Sequence, residues 1–217
     1  MMQRPPSVAK RSARLSSKAR TSPPRPRTKP AEVRREELMV AAERLFLEKG
    51  IAGASVEQIV AAADVAKGTF YLHFASKEQL LIALQQRYVA AFAETIRVAV
   101  DRRPRDDWSG RLRAWVEAGI RAYLDRQAVH DLVFHEFRPE GRGPTHENLA
   151  IAHLTGLLAE GTRAGAWALE DPALTATMLF HALHGLLDEG ATRGARVDRA
   201  RLARVANAHF RRVVGSA

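Results

Sequence analysis

The chain has 217 residues, no cysteine and a formal net charge of +10. That length supports one or two domains with a real core. The lack of thiols excludes disulfides, thiolate metal sites and cysteine nucleophiles, and no apolar run approaches the roughly 18 residues of a membrane span. Residues 1–30 hold nine Lys/Arg and no acid, which leaves 25 basic against 24 acidic residues in the remainder. The body of the chain is therefore not a general polyanion binder.

In chain order, residues 1–30 read as a disordered basic tail. They are rich in Pro, Ser and Arg and lack aromatics, so they cannot bury enough apolar surface to fold alone, and they carry no apolar stretch of a secretory signal. The tail is a DNA-binding arm, an inert extension, or the product of a start assigned upstream of the true one. Beyond it Leu38, Ala41, Ala42, Leu45 and Phe46 repeat with the helical period, and Gly50 is a stop. Ser55 with Gln58 makes a capping box and opens a helix that turns Val56, Ile59, Val60 and Ala63 inward. Asp64 breaks it and Val65 plugs the turn. A second short helix runs from about Ala66 to His73, and Ser76 with Gln79 writes another capping box.

Two short helices joined by a tight turn form a helix-turn-helix, whose second helix enters the major groove of DNA. Here that helix carries Lys67, Thr69, Tyr71 and His73, with no acid between Asp64 and Glu78. At about 100° per residue, Phe70 and Phe74 share the buried face, while Gly68, Thr69 and Leu72 occupy the outward arc. Glycine is costly inside a helix, so Gly68 suggests a close approach by another backbone. Leu72 can touch a thymine methyl, and Lys67, Tyr71 and His73 can reach phosphates.

The helix from Ser76 carries Leu80, Leu81, Leu84, Tyr88, Ala91 and Phe92 and is long enough to leave this domain. Residues 101–110 are the boundary loop. Leu112, Trp115, Val116, Ile120, Tyr123 and Leu124 continue the helical stripe, and a short helix near 129–137 ends in a Pro/Gly loop. From about Pro144 to Ala164 apolar residues face both sides, as in a centrally buried helix. Asp171 and Pro172 cap and start a helix bearing Leu174, Met178, Leu179, Leu183, Leu186 and Leu187. The last helix bears Leu202, Val205, Ala206, Phe210 and Val213. Two such broad stripes suit a four-helix bundle made from two copies; the competing reading is that they complete the monomer's core. No segment alternates with the period of a strand, so the fold class is all-α: a helix-turn-helix domain over 31–80 and a helical domain over 81–217.

Residues 34–84 resemble the TetR (tetracycline repressor) family, most specifically in the string GTFYLHFASKE. The resemblance implies phosphate contacts from Ser55, Lys67, Thr69, Tyr71, His73 and Lys77 and base contacts from Gly68 and Leu72. Two positions depart from the pattern: Asp64 stands where the family has a turn glycine, and Ala66 where Ser or Thr caps the recognition helix. The family further implies a homodimer formed through the last two helices, bound to a palindromic double-stranded operator and released by a small-molecule effector. In that mechanism the effector shifts the helix from Ser76 and changes the separation of the two recognition helices. A bacterial cytoplasmic, nucleoid-associated protein without cofactor, catalytic residues or membrane partner is expected.

Trp115, Tyr123, Phe134, His153, Met178 and His181 are the candidate effector lining, with plain packing as the competing role for each. No phosphate loop, nucleophile elbow or zinc-protease helix is present in the sequence. Two alternatives stand beside the effector-released repressor. One is a helix-turn-helix protein with no effector. The other is a metal-sensing repressor that uses His181 and His184, His146 and His153, or His135 with Glu136.

Overall fold

The computed structural model describes residues 29–137, 148–192 and 198–215. Expectations for the basic tail, for the Pro/Gly loop, for a helix start near Pro144 and for His146 lie outside them. Every element among the described residues is helical.

Helix α1 (Ala31–Gly53) buries Leu38, Met39, Ala41, Ala42, Leu45 and Phe46. Gly50 stops its regular course with φ 72°, a left-handed backbone that glycine adopts at no steric cost, and one further turn follows. Helix α2 (Val56–Ala62) begins with the expected capping box: the Gln58 N–H donates to Ser55 Oγ at 3.3 Å and the Ser55 N–H to Gln58 Oε1 at 3.1 Å. Asp64 takes φ 51° in the turn, the left-handed conformation that costs any residue other than glycine some strain, though Asp less than most. Helix α3 (Lys67–His73) starts at Ala66 with no side-chain cap bond. Helix α4 (Lys77–Asp101) starts at Ser76, whose Oγ accepts from the Gln79 N–H at 3.2 Å. The second capping box differs from expectation, because Gln79 Oε1 accepts from the Ala75 N–H rather than from that of Ser76.

Helix α5 (Trp108–Asp125) is capped by Asp107. The single short helix expected near 129–137 is instead α6 (Gln127–Asp131) followed directly by a π-helical turn, Leu132–Glu136. Helix α7 (Leu149–Arg163) starts at Asn148, whose Oδ1 accepts from the N–H groups of Ala150 and Ile151. Helices α8 (Pro172–Thr192) and α9 (Arg199–Val214) are capped by Asp171 and Asp198. Trp167 folds back onto α7, donating from Nε1 to the Leu158 carbonyl at 2.8 Å. Gly161 makes room for that ring, since a Cβ there would lie 2.3 Å from it.

Two apolar cores meet along α4. The first joins Leu38, Phe46, Ile59, Phe70, Phe74 and Leu80 to Leu84 and Tyr88, and then takes in Val129, Leu132, Val133 and Phe137 from α6 and the π turn. The second gathers Ile96, Leu112, Trp115, Leu154, Leu158, Trp167, Leu183 and Phe210. Phe92 packs against both. The first core thus runs past residue 80 and includes a segment far along the chain. Polar contacts repeat the link: Glu43 of α1 accepts from Arg87 of α4 and from Arg126 at the entry to α6, and Gln85 donates to the Val133 carbonyl at 3.0 Å.

Helices α8 and α9 divide their stripes. Leu179, Leu183, Leu187, Ala206 and Phe210 are buried, with the Phe210 ring against Trp115. Leu174, Met178 and Leu186 on α8 and Val205 and Val213 on α9 remain exposed.

Candidate DNA-recognition surface and effector pocket

Helix α3 presents its outward arc as the periodicity requires. Phe70 and Phe74 are buried, with ring centroids 5.8 Å apart, and hold the helix to α1 and α4. Leu72 is 83% exposed and Tyr71 52%. Lys67 and Gly68 are exposed, while Thr69 and His73 are half-buried. A Cβ built on Gly68 would meet nothing within 4 Å. Glycine inside a helix costs about 1 kcal/mol relative to alanine, and no intramolecular contact demands it here.

The cations around α3 are held in different ways. Lys67 Nζ pairs with Glu57 of α2 at 2.5 Å. The hydrogen bond from Lys67 holds the Glu57 carboxyl down to about 2, and the same bond raises the lysine. Lys77 donates to the carbonyls of Ile51 and Ala54, at 2.8 and 3.1 Å, so two of its three N–H donors are taken and it fastens the start of α4 to the α1–α2 junction. Ser55 uses its Oγ in the α2 cap and stands exposed.

A cavity of about 770 Å³ opens between α4, α5, α6 with its π turn, α7 and α8. Tyr88, Val89 and Phe92 line it from α4, Phe134 from the π turn and Phe180 from α8; Gln85, Gln86, Asn148 and His181 supply polar groups. Tyr88 and Phe92 stack at 6.3 Å, and Phe134 meets Tyr88 edge-on. The Tyr88 hydroxyl is buried without a hydrogen-bond partner among the described residues, and burial pushes it up to about 12. Of the six residues expected to line an effector site, Tyr123, Phe134 and His181 line this cavity. The other three do not. Trp115 is buried in the C-terminal core, His153 lies half-buried on α7 away from the cavity, and Met178 is 64% exposed on the outer face of α8.

One flank of the cavity is a polar cluster. His130 of α6 is buried, and its Nε2 lies 3.1 Å from Nε2 of His184 on α8. Its Nδ1 lies 3.2 Å from Asp131 Oδ1. Asp188 accepts a hydrogen bond from the Tyr123 hydroxyl, and its Oδ2 is 3.4 Å from His135 Nε2 and 3.8 Å from His184 Nδ1. Burial holds both His130 and His184 below the ordinary imidazole range. Burial works to raise Asp188, but the Tyr123 hydroxyl and the neighbouring imidazoles outweigh it and bring that carboxyl below the usual value. Of the histidines named as possible ligands, His135 and His184 join this cluster, whereas His153 and His181 are not among its groups.

Residues 38–84 match the family described as "Bacterial regulatory proteins, tetR family", and residues 107–208 match "Tetracyclin repressor-like, C-terminal domain". The chain belongs to the TetR family. The HTH-type transcriptional activator FasR of Mycolicibacterium smegmatis is 38% identical over 89 residues, 41% of this chain and 40% of that one. The HTH-type transcriptional repressor NemR of Escherichia coli is 36% identical over 62 residues, 29% of this chain and 31% of that one. The matches thus span less than half the length of these curated relatives. Among solved structures, the fatty acid degradation regulator FadR from Bacillus halodurans superposes with a TM-score of 0.66 at 25% identity, covering 82% of this chain and 94% of that one. This TetR-family protein is a DNA-binding transcriptional regulator, and its named relatives are regulators rather than enzymes. No helix among the described residues is long and apolar enough to cross a membrane.

Sequence reasoning about this TetR-family chain missed Tyr88, Phe92, His130, Phe180 and Asp188. Tyr88 and Phe92 sit on the apolar stripe of α4 and read there as core. A signal for the polar cluster did exist: Asp131 with His135 and His184 with Asp188 are two His/Asp pairs four residues apart, a spacing that puts both members on one helix face.

Proposed function

We propose that this protein is a dimeric repressor, acting on a palindromic operator in the bacterial cytoplasm and released from it by a small molecule. The observation that carries this reading is the double role of α6 and its π turn. His130 and Phe134 face the cavity, while Val129, Leu132, Val133 and Phe137 pack in the core that supports α3. A molecule that spreads the cavity therefore acts on the DNA-binding domain through side chains in direct contact, in addition to any shift of α4. By linkage, the effector binds the DNA-incompetent arrangement better, and DNA weakens the effector by the same factor. The lining suits a molecule with an apolar or aromatic body and one polar end able to bond Tyr88, Asn148 or His181.

Residues 31–80 read the operator. Ser55, Lys67, Thr69, Tyr71 and His73 meet phosphates and Gly68 and Leu72 meet base edges, while Lys77 holds the reader to α4. The exposed halves of α8 and α9 supply the dimer contact, and two recognition helices then stand about one DNA turn apart. The test has two stages. Gel shifts on the gene's own upstream region locate the operator, and a thermal-shift screen of small amphipathic molecules finds ligands. A molecule that raises Tm is expected to release the operator, and Phe134→Ala to weaken that molecule while sparing DNA affinity. Operator affinity that ignores every stabilising molecule would refute effector release.

A further inference from the structure

We propose that His130, His184 and Asp188, on the flank of the cavity, form a binding site for one divalent transition-metal ion of the zinc–nickel class. One ligand atom from each of the three residues lies within 4.8 Å of the other two. The sequence places His130 more than fifty residues before His184 and Asp188, and the approach of α6 to α8 brings the three together.

The hydrogen-bonding arrangement favours an ion over a simple imidazole pair. Asp131 accepts from His130 Nδ1, so a neutral His130 carries its proton there and turns the Nε2 lone pair toward His184. A carboxylate that fixes the tautomer of a histidine in this way is the usual orienting partner of a metal-bound imidazole. Two nitrogens that each sit about 2.05 Å from one ion are about 2.9 to 3.3 Å apart at octahedral to tetrahedral angles; the Nε2 atoms here are 3.1 Å apart. Without an ion, the His184 proton must occupy Nε2, and its Nδ1 lone pair then faces the Asp188 carboxylate at 3.8 Å, an unfavourable meeting of two acceptors. With an ion on the two Nε2 atoms, the His184 proton moves to Nδ1 and that meeting of two acceptors is removed.

Asp188 has its own orienting group in the Tyr123 hydroxyl, and its charge offsets that of the cation. His135, half exposed, lies 3.4 Å from both Asp131 and Asp188 at the edge of the cluster, and water would complete the shell. Two imidazoles and a carboxylate select a borderline ion rather than magnesium or calcium, which take oxygen ligands. The site joins α6, which packs on the DNA-binding core, to α8, which carries the exposed apolar face.

The test is metal uptake by untagged, chelator-stripped protein, read without DNA so that its outcome is separate from the operator reading above. Calorimetry with Zn²⁺ is expected to give one equivalent per protomer, and Co²⁺ to give visible absorption of a nitrogen- and oxygen-ligated ion. His184→Gln and Asp188→Asn are expected to abolish that equivalent. Asp131→Ala, which removes the orienting acceptor, is expected to weaken it about ten- to a hundredfold, and exposed His209→Ala to leave it unchanged. Absence of stoichiometric uptake by the wild-type protein overturns the proposal whatever the variants do. Uptake undiminished in folded His184→Gln and Asp188→Asn, judged by circular dichroism, overturns it equally.

Discussion

The helix-turn-helix unit and the cavity of this protein differ in how their residues are assembled. The reader is built locally: the Ser55 cap, the Asp64 turn and the outward arc of α3 follow one another within about one helical hairpin. The cavity is built by convergence, with Tyr88, Tyr123, His184 and the pair His130 and Phe134 arriving on four separate segments. A local device is sensitive to single surface atoms. A convergent one is sensitive to packing and to the charge state of buried groups.

The sharpest way to break this division is to remove the link between two copies. Leu186→Glu puts a charge on the exposed stripe of α8, away from the buried Leu183 and Leu187, and is expected to give a folded monomer. Operator affinity is expected to fall about a hundredfold or more, because the second half-site is no longer intramolecular; sedimentation and anisotropy titrations check the two effects together. Phe210→Glu is a poor choice for this purpose, since Phe210 lies in the monomer's own core against Trp115. A wild-type protein that sediments as a monomer while binding its operator in full would contradict the division outright.

Smaller effects are expected on α3. Thr69→Ala and Tyr71→Phe each remove one hydroxyl and are expected to cost about 0.5–1.5 kcal/mol of operator binding, with Tm unchanged. Lys67→Ala should also reduce the log–log salt slope by about 0.9 for the lost phosphate contact. Gly68→Ala separates binding from stability. It should raise stability by up to about 1 kcal/mol, because the Cβ enters open space, yet weaken the operator complex. A variant both more stable and equally tight would show that Gly68 faces no DNA.

The smallest effect belongs to the cavity and to pH. Burial holds His130 and His184 below the ordinary imidazole value, so on acidification the unfolded chain takes up protons first. Their contribution to stability is in place above about pH 6.5 and is lost as pH falls through their folded-state values. Thermal melts between pH 7.5 and 5 should show Tm declining below about 6.5, and His184→Gln should flatten the decline. A Tm independent of pH over that range would contradict the burial of these imidazoles.

The same division explains what could be read from the sequence. The all-α architecture, the α2 capping box and the burial of Phe70 and Phe74 were legible because cap chemistry and helical period act over a few residues. The cavity lining was legible only where a large polar or aromatic side chain happened to face inward, as at Tyr123, Phe134 and His181. Trp115 has the same character but is claimed by Phe210, and Met178 lies on the exposed stripe of α8. The position of His130 follows from the π turn after α6. No residue type announces such a turn, since it arises where the segment must pack Leu132 and Val133 into one core while keeping His130 and Phe134 beside the cavity.

The two bonds from Lys77 set the gearing of the molecule. They hold the first residue of α4 to the carbonyls that end α1, so the reader turns with α4 as one body and α3 is not re-aimed within its own domain. Helix α4 has 25 residues, about 37 Å of rod at 1.5 Å per residue. A tilt of about 10° at its far end therefore sweeps its tip by about 6 Å, half the roughly 12 Å width of a major groove. In the proposed dimer, the same sweep mirrored in a second copy would change the span between the two recognition helices by as much as a full groove width.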